Sequence, residues 1–312
     1  MKPVFSVIVP VYNETDCLDE LYGRVKAVME QTKDTWELVL VDDGSTDGSS
    51  DIIRKYAKTD AHIRPVIFAR NYGHQIAVTA GMDYSRGDAV IVIDADLQDP
   101  PEVMAELIAK WREGFEVVYA VRDEREGESW FKLFTASMFY RVIYKITEIK
   151  IPMNSGDFRL LDRKVVNVMN TMRERQRFLR GMSIWTGFRQ VGVPYKRAAR
   201  FAGRSKYPLK KMLKLAITAI TSFSSFPLQM AIYAGGFITA VSFIFLVVMI
   251  ILRLSGSAFL AGQASTLIVV AFLGGIQLIF MGILGEYIGR IYDEMKGRPL
   301  YTTRETPSDE TK

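Results

Sequence analysis

Two aspartates separated by a single residue, Asp94 and Asp96, are the side chains best suited to chemistry in this sequence. They follow Ala89–Ile93, a short apolar run typical of a buried β-strand. At extended spacing both carboxylates can face one side, and Gln98 offers an amide oxygen two residues later. Hard divalent cations such as Mg²⁺ or Mn²⁺ prefer such oxygen ligands. The pattern indicates a metal site, and the alternative is a solvated turn before Pro100.

Similar polar clusters follow other apolar runs in the first part of the chain. The strand-like runs, which alternate with segments of helical spacing, are Val4–Pro10, Trp36–Val41, Arg64–Phe68, Ala89–Ile93 and Glu116–Val121. This alternation predicts an α/β fold with a parallel sheet covered on both faces, where ligands bind at the carboxyl ends of the strands. The polar clusters at those ends are Tyr12-Asn13-Glu14, Asp42-Asp43, Asp94-Ala95-Asp96 and Arg122. No Gly-x-Gly-x-x-Gly follows the first strand, which argues against a nicotinamide enzyme.

Composition excludes several other classes of protein. Hydrophobic residues make up 49% of the 312 residues, which excludes a disordered chain. A single cysteine, Cys17, excludes a disulfide scaffold and a cysteine-rich zinc module. With two histidines, His62 and His74, a histidine-based metal site or a Ser-His-Asp triad is not expected. The N-terminus carries no signal-peptide pattern, so we expect this end to start in the cytoplasm.

A basic stretch lies in the C-terminal half of the chain. From Arg175 through Gly285 there is no Asp or Glu, and twelve basic residues lie between Arg175 and Lys214. This suggests an anionic partner such as membrane lipid or phosphate, and a solvated basic face is the alternative. Around residues 206–226 apolar side chains share one helical face while lysines occupy the flank and the opposite face, which predicts a helix lying in the headgroup region.

Two long uncharged segments, residues 215–252 and 254–285, can each supply the ~20 apolar residues of a membrane span. We predict membrane helices near Leu228–Leu252 and Thr266–Gly285, with buried core helices as the alternative. The positive-inside rule then places both the N-terminal body and the C-terminal tail in the cytoplasm. Three glycines on nearly one face permit close packing between the spans or between subunits of a homo-oligomer. These glycines are Gly282, Gly285 and Gly289.

Longer motifs resemble those of a known family. Val9-Pro10-Val11-Tyr12-Asn13-Glu14, Val41-Asp42-Asp43-Gly44-Ser45-Thr46-Asp47 and Asp94-Ala95-Asp96-Leu97-Gln98-Asp99-Pro100-Pro101 resemble the motifs of family 2 glycosyltransferases with a GT-A fold. Asn154-Ser155-Gly156-Asp157-Phe158-Arg159 and Arg200-Phe201-Ala202-Gly203-Arg204-Ser205-Lys206-Tyr207 resemble the polyisoprenyl-phosphate glycosyltransferases. That group contains GtrB-like bactoprenol glucosyltransferases and dolichol-phosphate mannose synthases. The resemblance extends to about Arg298.

The resemblance implies a division of the chain. A cytoplasmic catalytic domain with a Rossmann-like, mostly parallel GT-A sheet is expected over residues 1–205. A juxtamembrane amphipathic region is expected over 206–226, and two transmembrane helices over 227–286. A cytoplasmic tail over 287–312 completes the arrangement, which makes the chain a multi-pass protein of the cytoplasmic membrane.

The resemblance also assigns roles to individual positions. The positions matched to catalysis are Asp157, Asp94 and Arg122. The positions matched to the metal and the diphosphate are Asp94, Asp96 and Gln98. The positions around the nucleotide are Pro10, Tyr12, Glu14, Asp42 and Asp43. The basic positions matched to donor or acceptor phosphates are Arg200, Arg204 and Lys206.

The implied activity is that of an inverting glycosyltransferase, with Mg²⁺ or Mn²⁺ as cofactor. Glucose would move from UDP-glucose to undecaprenyl phosphate at the cytoplasmic membrane face. Donors of the GDP-mannose or UDP-4-amino-arabinose type stay open, as do transfer to a polysaccharide or a diacylglycerol lipid and a non-catalytic scaffold or flippase subunit. The implied partners are the nucleotide sugar, the polyisoprenyl phosphate, the bilayer, a lipid-linked sugar flippase and a downstream transferase. No nucleic acid is expected.

Overall fold

The computed structural model describes residues 2–122, 155–196, 226–255 and 263–307. Within these residues the strands are β1 (Phe5–Val11), β2 (Trp36–Asp42), β3 (Ile63–Phe68), β4 (Ala89–Val92), β5 (Val117–Arg122), β6 (Ser155–Asp162), β7 (Gln190–Tyr195) and β8 (Thr303–Glu305). The helices are α1 (Thr15–Thr32), α2 (Ser49–Thr59), α3 (His74–Tyr84), α4 (Met104–Arg112), α5 (Arg163–Thr171), α6 (Leu179–Trp185), α7 (Phe226–Leu254) and α8 (Gln263–Met295).

The strands form one sheet in the order β7-β5-β6-β4-β1-β2-β3-β8. β4, β1, β2 and β3 pair in parallel, as do β5 and β7, while β6 runs antiparallel between β4 and β5. β1 and β2 are buried at every position, because helices cover both faces, and this burial explains their continuous apolar sequences. The predicted α/β fold with a mostly parallel sheet is confirmed.

The parallel pairing determines where the polar clusters lie. β1, β2 and β4 are neighbours and run in the same direction, so the residues that follow them emerge at one edge of the sheet. The ladder continues one residue beyond β4, where the amide of Ile93 donates to the carbonyl of Ile8 at 3.0 Å. Asp94 is the next residue. The sheet therefore gathers the clusters after Val11, Asp42 and Ile93 at one edge.

The chain divides into two compact units, one built on the sheet and the other on α7 and α8. By length and composition, one helical segment among the described residues, Phe272–Met295 of 24 residues, could cross a membrane. The apolar segment of α7, Leu228–Ile244, is shorter. The second predicted membrane span is therefore not shown by the described residues.

The chain returns to the sheet after α8. Gly297 has a φ of 57°, and from Arg298 onwards the residues belong to the unit that contains the sheet. β8 then pairs with β3 in antiparallel orientation at the edge of the sheet. This segment was predicted to be a tail, and β8 was not predicted.

Candidate active site

Asp94 carries the least satisfied carboxylate at the carboxyl edge of the sheet. Its Oδ1 atom is buried and has no hydrogen-bond partner. Burial raises the pKa of Asp94 to about 6; nearby Asp157, Asp99 and Asp96 add to this rise, while His74 opposes it. An oxygen in this state can accept a cation or a hydrogen-bond donor from a ligand.

The loop after Asp94 is held from within the protein. Leu97 has a φ of 57°, and the amide of Gln98 donates to Oδ1 of Asp96 at 3.1 Å. Asp99 is fully buried, and one of its oxygens accepts a hydrogen bond from the hydroxyl of Tyr195 on β7. These bonds keep Asp96 and Gln98, both partly exposed, beside Asp94.

Arg122 ends β5 against the same loop. Its Nε donates to the hydroxyl of Tyr195 at 3.3 Å, and its Nη2 lies 3.9 Å from Oδ2 of Asp99. A Cβ atom at position 156 would lie 2.9 Å from Nη2, so Gly156 makes room for the guanidinium. Arg122 is thus close to the site, and the contacts observed in the structure anchor the loop.

Asp157 on β6 is the centre of a charged group that lies opposite Asp94. Nε of Arg180 on α6 donates to its Oδ1 at 2.7 Å, and Nε2 of Gln75 donates to its Oδ2 at 3.2 Å. Gln75 also links the starts of two helices, because its Oε1 accepts from the amide of Leu179 at 3.0 Å. Burial acts to raise the pKa of Asp157, but the attraction of Arg180 and His74 outweighs it and holds the pKa well below its ordinary value.

His74 lies between the two aspartates. Its Nε2 is 3.2 Å from Oδ2 of Asp157 and 3.6 Å from Oδ1 of Asp94. Burial acts to lower the pKa of His74, yet the two carboxylates outweigh it and raise the pKa to about 9. The imidazole is therefore positively charged at neutral pH in this geometry.

Asp43, which follows β2, holds the loop that precedes His74. Its carboxylate accepts from the amide of Tyr72 at 2.6 Å, the amide of Gly73 at 2.9 Å and Nδ2 of Asn71 at 2.9 Å. Burial raises the pKa of Asp43, while the bonds from Tyr72 and Gly73 act against this rise. Its position beside the site agrees with a place near the nucleotide, and nucleotide contact stays a prediction.

Asp42 and Gly44 shape the same turn. The carboxylate of the fully buried Asp42 accepts from the amide of Ser45 at 2.9 Å and from the hydroxyl of Ser50. Gly44 has a φ of 71°, and a Cβ atom there would lie 2.6 Å from the carbonyl carbon of Arg70. The sequence Asp42-Asp43-Gly44-Ser45 thus builds a tight turn against the loop that leads to His74.

The remaining predicted nucleotide residues follow β1. Pro10 is buried in the strand, whereas Tyr12 is 40% exposed and presents its ring at the edge. Asn13 has a φ of 55°, and its Oδ1 accepts from the amide of Thr46 at 2.8 Å. The amide of Glu14 donates to the hydroxyl of Ser49 at 3.1 Å. An exposed aromatic ring beside an ordered turn can stack on a planar base.

Some predicted site residues are not described by the structure, and some residues at the site were not predicted. Arg200, Arg204 and Lys206 lie outside the described residues, as does nearly all of the predicted juxtamembrane region. His74, Gln75 and Arg180 were not predicted to belong to the site. The cluster Asn71–Gln75 follows β3 and obeys the same strand-end rule as the others, so that rule would have found His74 and Gln75.

The residues at this edge fit a divalent cation as part of a larger ligand set. Among the described residues, no three His, Cys, Asp or Glu side chains are grouped closely enough to hold a metal ion. Oδ1 of Asp94, which accepts no hydrogen bond, and the neighbouring carboxylate of Asp96 are oxygen ligands of the kind that Mg²⁺ and Mn²⁺ prefer. Further oxygens would have to come from a bound substrate such as a diphosphate.

Comparisons with known proteins agree with this geometry. Residues 6–169 match the family described as Glycosyl transferase family 2. The chain is 49% identical to the uncharacterized glycosyltransferase YkcC of Bacillus subtilis over 99% of this chain and 95% of that protein. It is 43% identical to the SfII prophage-derived bactoprenol glucosyl transferase of Shigella flexneri over 96% of this chain and 97% of that protein.

A solved structure supports the fold. Glucosyl-3-phosphoglycerate synthase from Mycobacterium tuberculosis, crystallised with Mn²⁺, uridine diphosphate and phosphoglyceric acid, matches with a TM-score of 0.50. The match covers 70% of this chain and 76% of that chain at 18% identity, so it bears on the fold alone. The predicted GT-A fold is confirmed.

Proposed function

The chain belongs to glycosyl transferase family 2 and is a glycosyltransferase, and on that premise we propose that it moves a sugar from a nucleotide sugar to a polyisoprenyl phosphate with inversion at the anomeric carbon. One observation carries the proposal. Asp94 and Asp96 lie at the carboxyl edge of the sheet opposite an anchored Asp157, and the buried Oδ1 of Asp94 accepts no hydrogen bond within the protein. The nearly full-length similarity to a protein named bactoprenol glucosyl transferase supports the lipid acceptor and glucose as the sugar, for which we propose UDP-glucose as the donor.

A divalent cation held by Asp94 and Asp96, with the amide oxygen of Gln98 nearby, would stabilise negative charge on the departing nucleoside diphosphate. Asp43 and the exposed ring of Tyr12 are proposed to bind the nucleotide at the neighbouring strand ends. The positive charge of His74 lies between Asp94 and Asp157, and that of Arg180 lies beside Asp157. They favour an incoming phosphate and limit its repulsion by Asp157.

Asp157 is proposed to orient the acceptor or the sugar. A phosphate monoester has a second pKa of ~6, so the attacking oxygen is already ionised at neutral pH and needs no strong base. Bonds from Arg180 and Gln75 engage both oxygens of Asp157, which favours a fixed negative charge over a proton acceptor. Retention of near-normal turnover and donor affinity by Asp157→Asn would exclude an essential role.

The position of β8 supports two membrane crossings. β8 pairs with β3, so the chain before α7 and the chain after α8 belong to the same sheet. A single crossing between β7 and β8 would place β8 across the membrane from its partner strand. If α8 crosses, a second crossing between β7 and β8 is required, and we assign it to α7. We therefore propose a catalytic domain over residues 1–205 in the cytoplasm, a juxtamembrane region over 206–226, two spans over 227–286 and a cytoplasmic segment over 287–312.

One assay tests the proposal directly. Purified protein in detergent is given a panel of labelled UDP- and GDP-sugars with undecaprenyl phosphate, and label is counted in an organic-soluble, acid-labile lipid. We expect label from UDP-glucose, dependence on Mg²⁺ or Mn²⁺, and loss of transfer in Asp96→Ala. Asp51→Ala is the matched control, because the Asp51 side chain is 81% exposed on α2. Transfer by Asp96→Ala at the wild-type rate would contradict the metal assignment, and no lipid product from any donor would contradict the function.

A further inference from the structure

A short segment after α8 is bound along one edge of the sheet; we call Arg298–Glu305 the C-terminal strap. Its backbone pairs with β3 through β8, and the carbonyl of Thr302 accepts from the amide of Ala69 at 3.0 Å. The carbonyl of Arg298 accepts from Nη2 of Arg175 at 2.5 Å. The C-terminal strap is thus hydrogen-bonded to the sheet unit at both of its ends.

Side chains fix the middle of the C-terminal strap. The ring of Tyr301 stacks on Phe68 with 5.0 Å between centroids, and its hydroxyl donates to Oδ2 of Asp83 at 2.8 Å. Asp83 also accepts two bonds from Arg173, at 2.9 Å and 3.0 Å. Burial raises the pKa of Tyr301, so its hydroxyl stays protonated and able to donate.

Tyr72 joins the C-terminal strap to the active-site loop, which we define as residues 69–73. Its hydroxyl shares a 2.6 Å hydrogen bond with Oγ1 of Thr302, and its backbone amide donates to Asp43. Directly after this loop come His74 and Gln75, which contact Asp157. Gly73 has a φ of 99°, which glycine adopts without steric cost. The loop is held by bonds from neighbouring segments, to Asp43 and to Thr302.

We propose that Thr302 of the C-terminal strap is a positioning residue for catalysis, which acts through the hydroxyl of Tyr72 to hold the active-site loop and keep His74 and Gln75 against Asp157. This inference rests on the proposed transfer reaction. Asp43 has its own anchor, because its amide donates to the carbonyl of Val11 at 2.8 Å. Loss of the strap bond should therefore disturb the reacting centre more than the nucleotide site.

The kinetic test compares hydroxyl and methyl groups at one position of the full-length protein. Thr302→Val removes the hydroxyl with little change in shape, Thr302→Ser keeps it, and Tyr72→Phe removes its partner. We expect Thr302→Val to lower kcat for sugar transfer about 3- to 10-fold, the equivalent of one ordinary hydrogen bond, with the donor KM changed by less than about twofold. Thr302→Ser should restore kcat, and the double variant Thr302→Val with Tyr72→Phe should lose no more than either single variant.

Glu305→Gln is the control. Glu305 lies on the same strand but pairs with Arg54 of α2, away from the active-site loop, so kcat should be unchanged. Equal loss in Glu305→Gln and Thr302→Val would show a general structural effect and overturn the proposal. A fall in kcat that Thr302→Ser fails to restore would also overturn it.

Hydrogen exchange separates this inference from the proposed function. The amides of Tyr72 and Gly73 should exchange about 3- to 10-fold faster in Thr302→Val, and at the wild-type rate in Thr302→Ser and Glu305→Gln. Unchanged exchange in Thr302→Val would overturn the link between the strap and the loop, whatever the reaction. Faster exchange with unchanged kcat would overturn its catalytic role. A wild-type protein that transfers no sugar would instead refute the proposed function, and with it the role of the strap in catalysis. The exchange result would still decide whether the strap holds the active-site loop.

Discussion

The two ends of the sheet contain buried charges in opposite states of pairing. Where β1 and β2 begin, Glu37 is 3% exposed and has a full set of partners. Its Oε1 accepts from the hydroxyl of Ser6 and the amide of Arg86, both at 2.6 Å. Its Oε2 accepts from Nε of Arg86 at 3.1 Å and lies 3.4 Å from Nε of Arg64. One carboxylate there is matched by several donors.

The end where these strands stop is different. There the described carboxylates of Asp94, Asp96, Asp99 and Asp157 share few cationic partners, and Oδ1 of Asp94 has no hydrogen bond. Burying a charge is costly unless its partners are present. A buried carboxylate whose oxygens all have donors stabilises the fold. A carboxylate with an oxygen that accepts no hydrogen bond indicates a site to which a ligand binds.

The largest effect is expected at the end where the strands stop. Asp94→Asn should lower sugar transfer by at least about 1000-fold, because it removes charge where a cation must bind. The free energy of unfolding should change little, because relief from the cost of burying the charge offsets the lost attraction to His74, whose Nε2 lies 3.6 Å away. Transfer assays and urea denaturation of the same preparation in detergent measure both. Asp51→Asn serves as a control at an exposed position. Strong destabilisation by Asp94→Asn would contradict this prediction and show that the Asp94 carboxylate stabilises the fold.

At the end where β1 and β2 begin, a substitution should lower stability and leave activity unchanged. Glu37→Gln should lower the free energy of unfolding by about 2–4 kcal/mol, because the buried Arg64 and the partly exposed Arg86 lose their charged partner. The folded fraction should keep its kcat. Glu113→Gln removes an exposed pair with Lys110 and should change stability by less than about 1 kcal/mol. A kcat loss in Glu37→Gln without loss of stability would contradict the comparison.

A substitution that strains the backbone at the end where the strands stop should have an intermediate effect on stability. Gly44→Ala forces a left-handed residue against the backbone of Arg70 and should cost about 2 kcal/mol of stability. Because the turn also holds Asp43, we expect weaker binding of UDP by calorimetry. Gly23→Ala is the matched control: it lies within α1 with no atom within 4 Å of the added Cβ, and it should be neutral or slightly stabilising.

The smallest effect concerns a satisfied carboxylate in the turn that leads into β3, at the end where the parallel strands begin. Asp60 accepts bonds from the hydroxyl of Tyr22 at 2.6 Å, the amide of His62 at 2.9 Å and Nζ of Lys26 at 3.2 Å. Burial acts to raise the pKa of Asp60, but these bonds outweigh it and lower the pKa. The stabilisation is therefore present above the unfolded pKa of about 3.9 and is lost as the pH falls through the folded pKa.

Asp60→Asn should accordingly cost about 1 kcal/mol at neutral pH. The difference in Tm between wild type and variant should narrow on acidification below about pH 4. Thermal melts across a pH series measure this. A Tm difference that increased at acidic pH would contradict the hydrogen bonds described for Asp60.

The sequence predicted the elements whose signals are local. β1 to β5 were recognisable as apolar runs, and Asp94 and Asp96 were found because they directly follow such a run. Arg180 could not be found this way, since it lies 23 residues from Asp157 and meets it only through the packing of α6 near β6. His74 was not predicted, because a chain with two histidines argues against a histidine-based metal site or a Ser-His-Asp triad.

β8 was missed for a different reason. Thr303-Arg304-Glu305 has no apolar alternation, and Arg304 and Glu305 are exposed. Its place is determined by the open backbone edge of β3 and by the anchoring of Tyr301, which are tertiary features. Short edge strands of this kind carry no hydrophobic pattern from which they could be predicted.

The late position of β8 in the chain also imposes an order on biosynthesis. Thr302 lies 230 residues after Tyr72, so the ribosome completes β1 to β7 and both long helices before the partner of β3 exists. Domains generally begin to fold from the N-terminal side during synthesis. Until β8 arrives, the outer edge of β3 is an unpaired strand edge that another chain could bind. We therefore expect a nascent chain to need protection at this edge by chaperones, and to reach full activity only after α8 has been made.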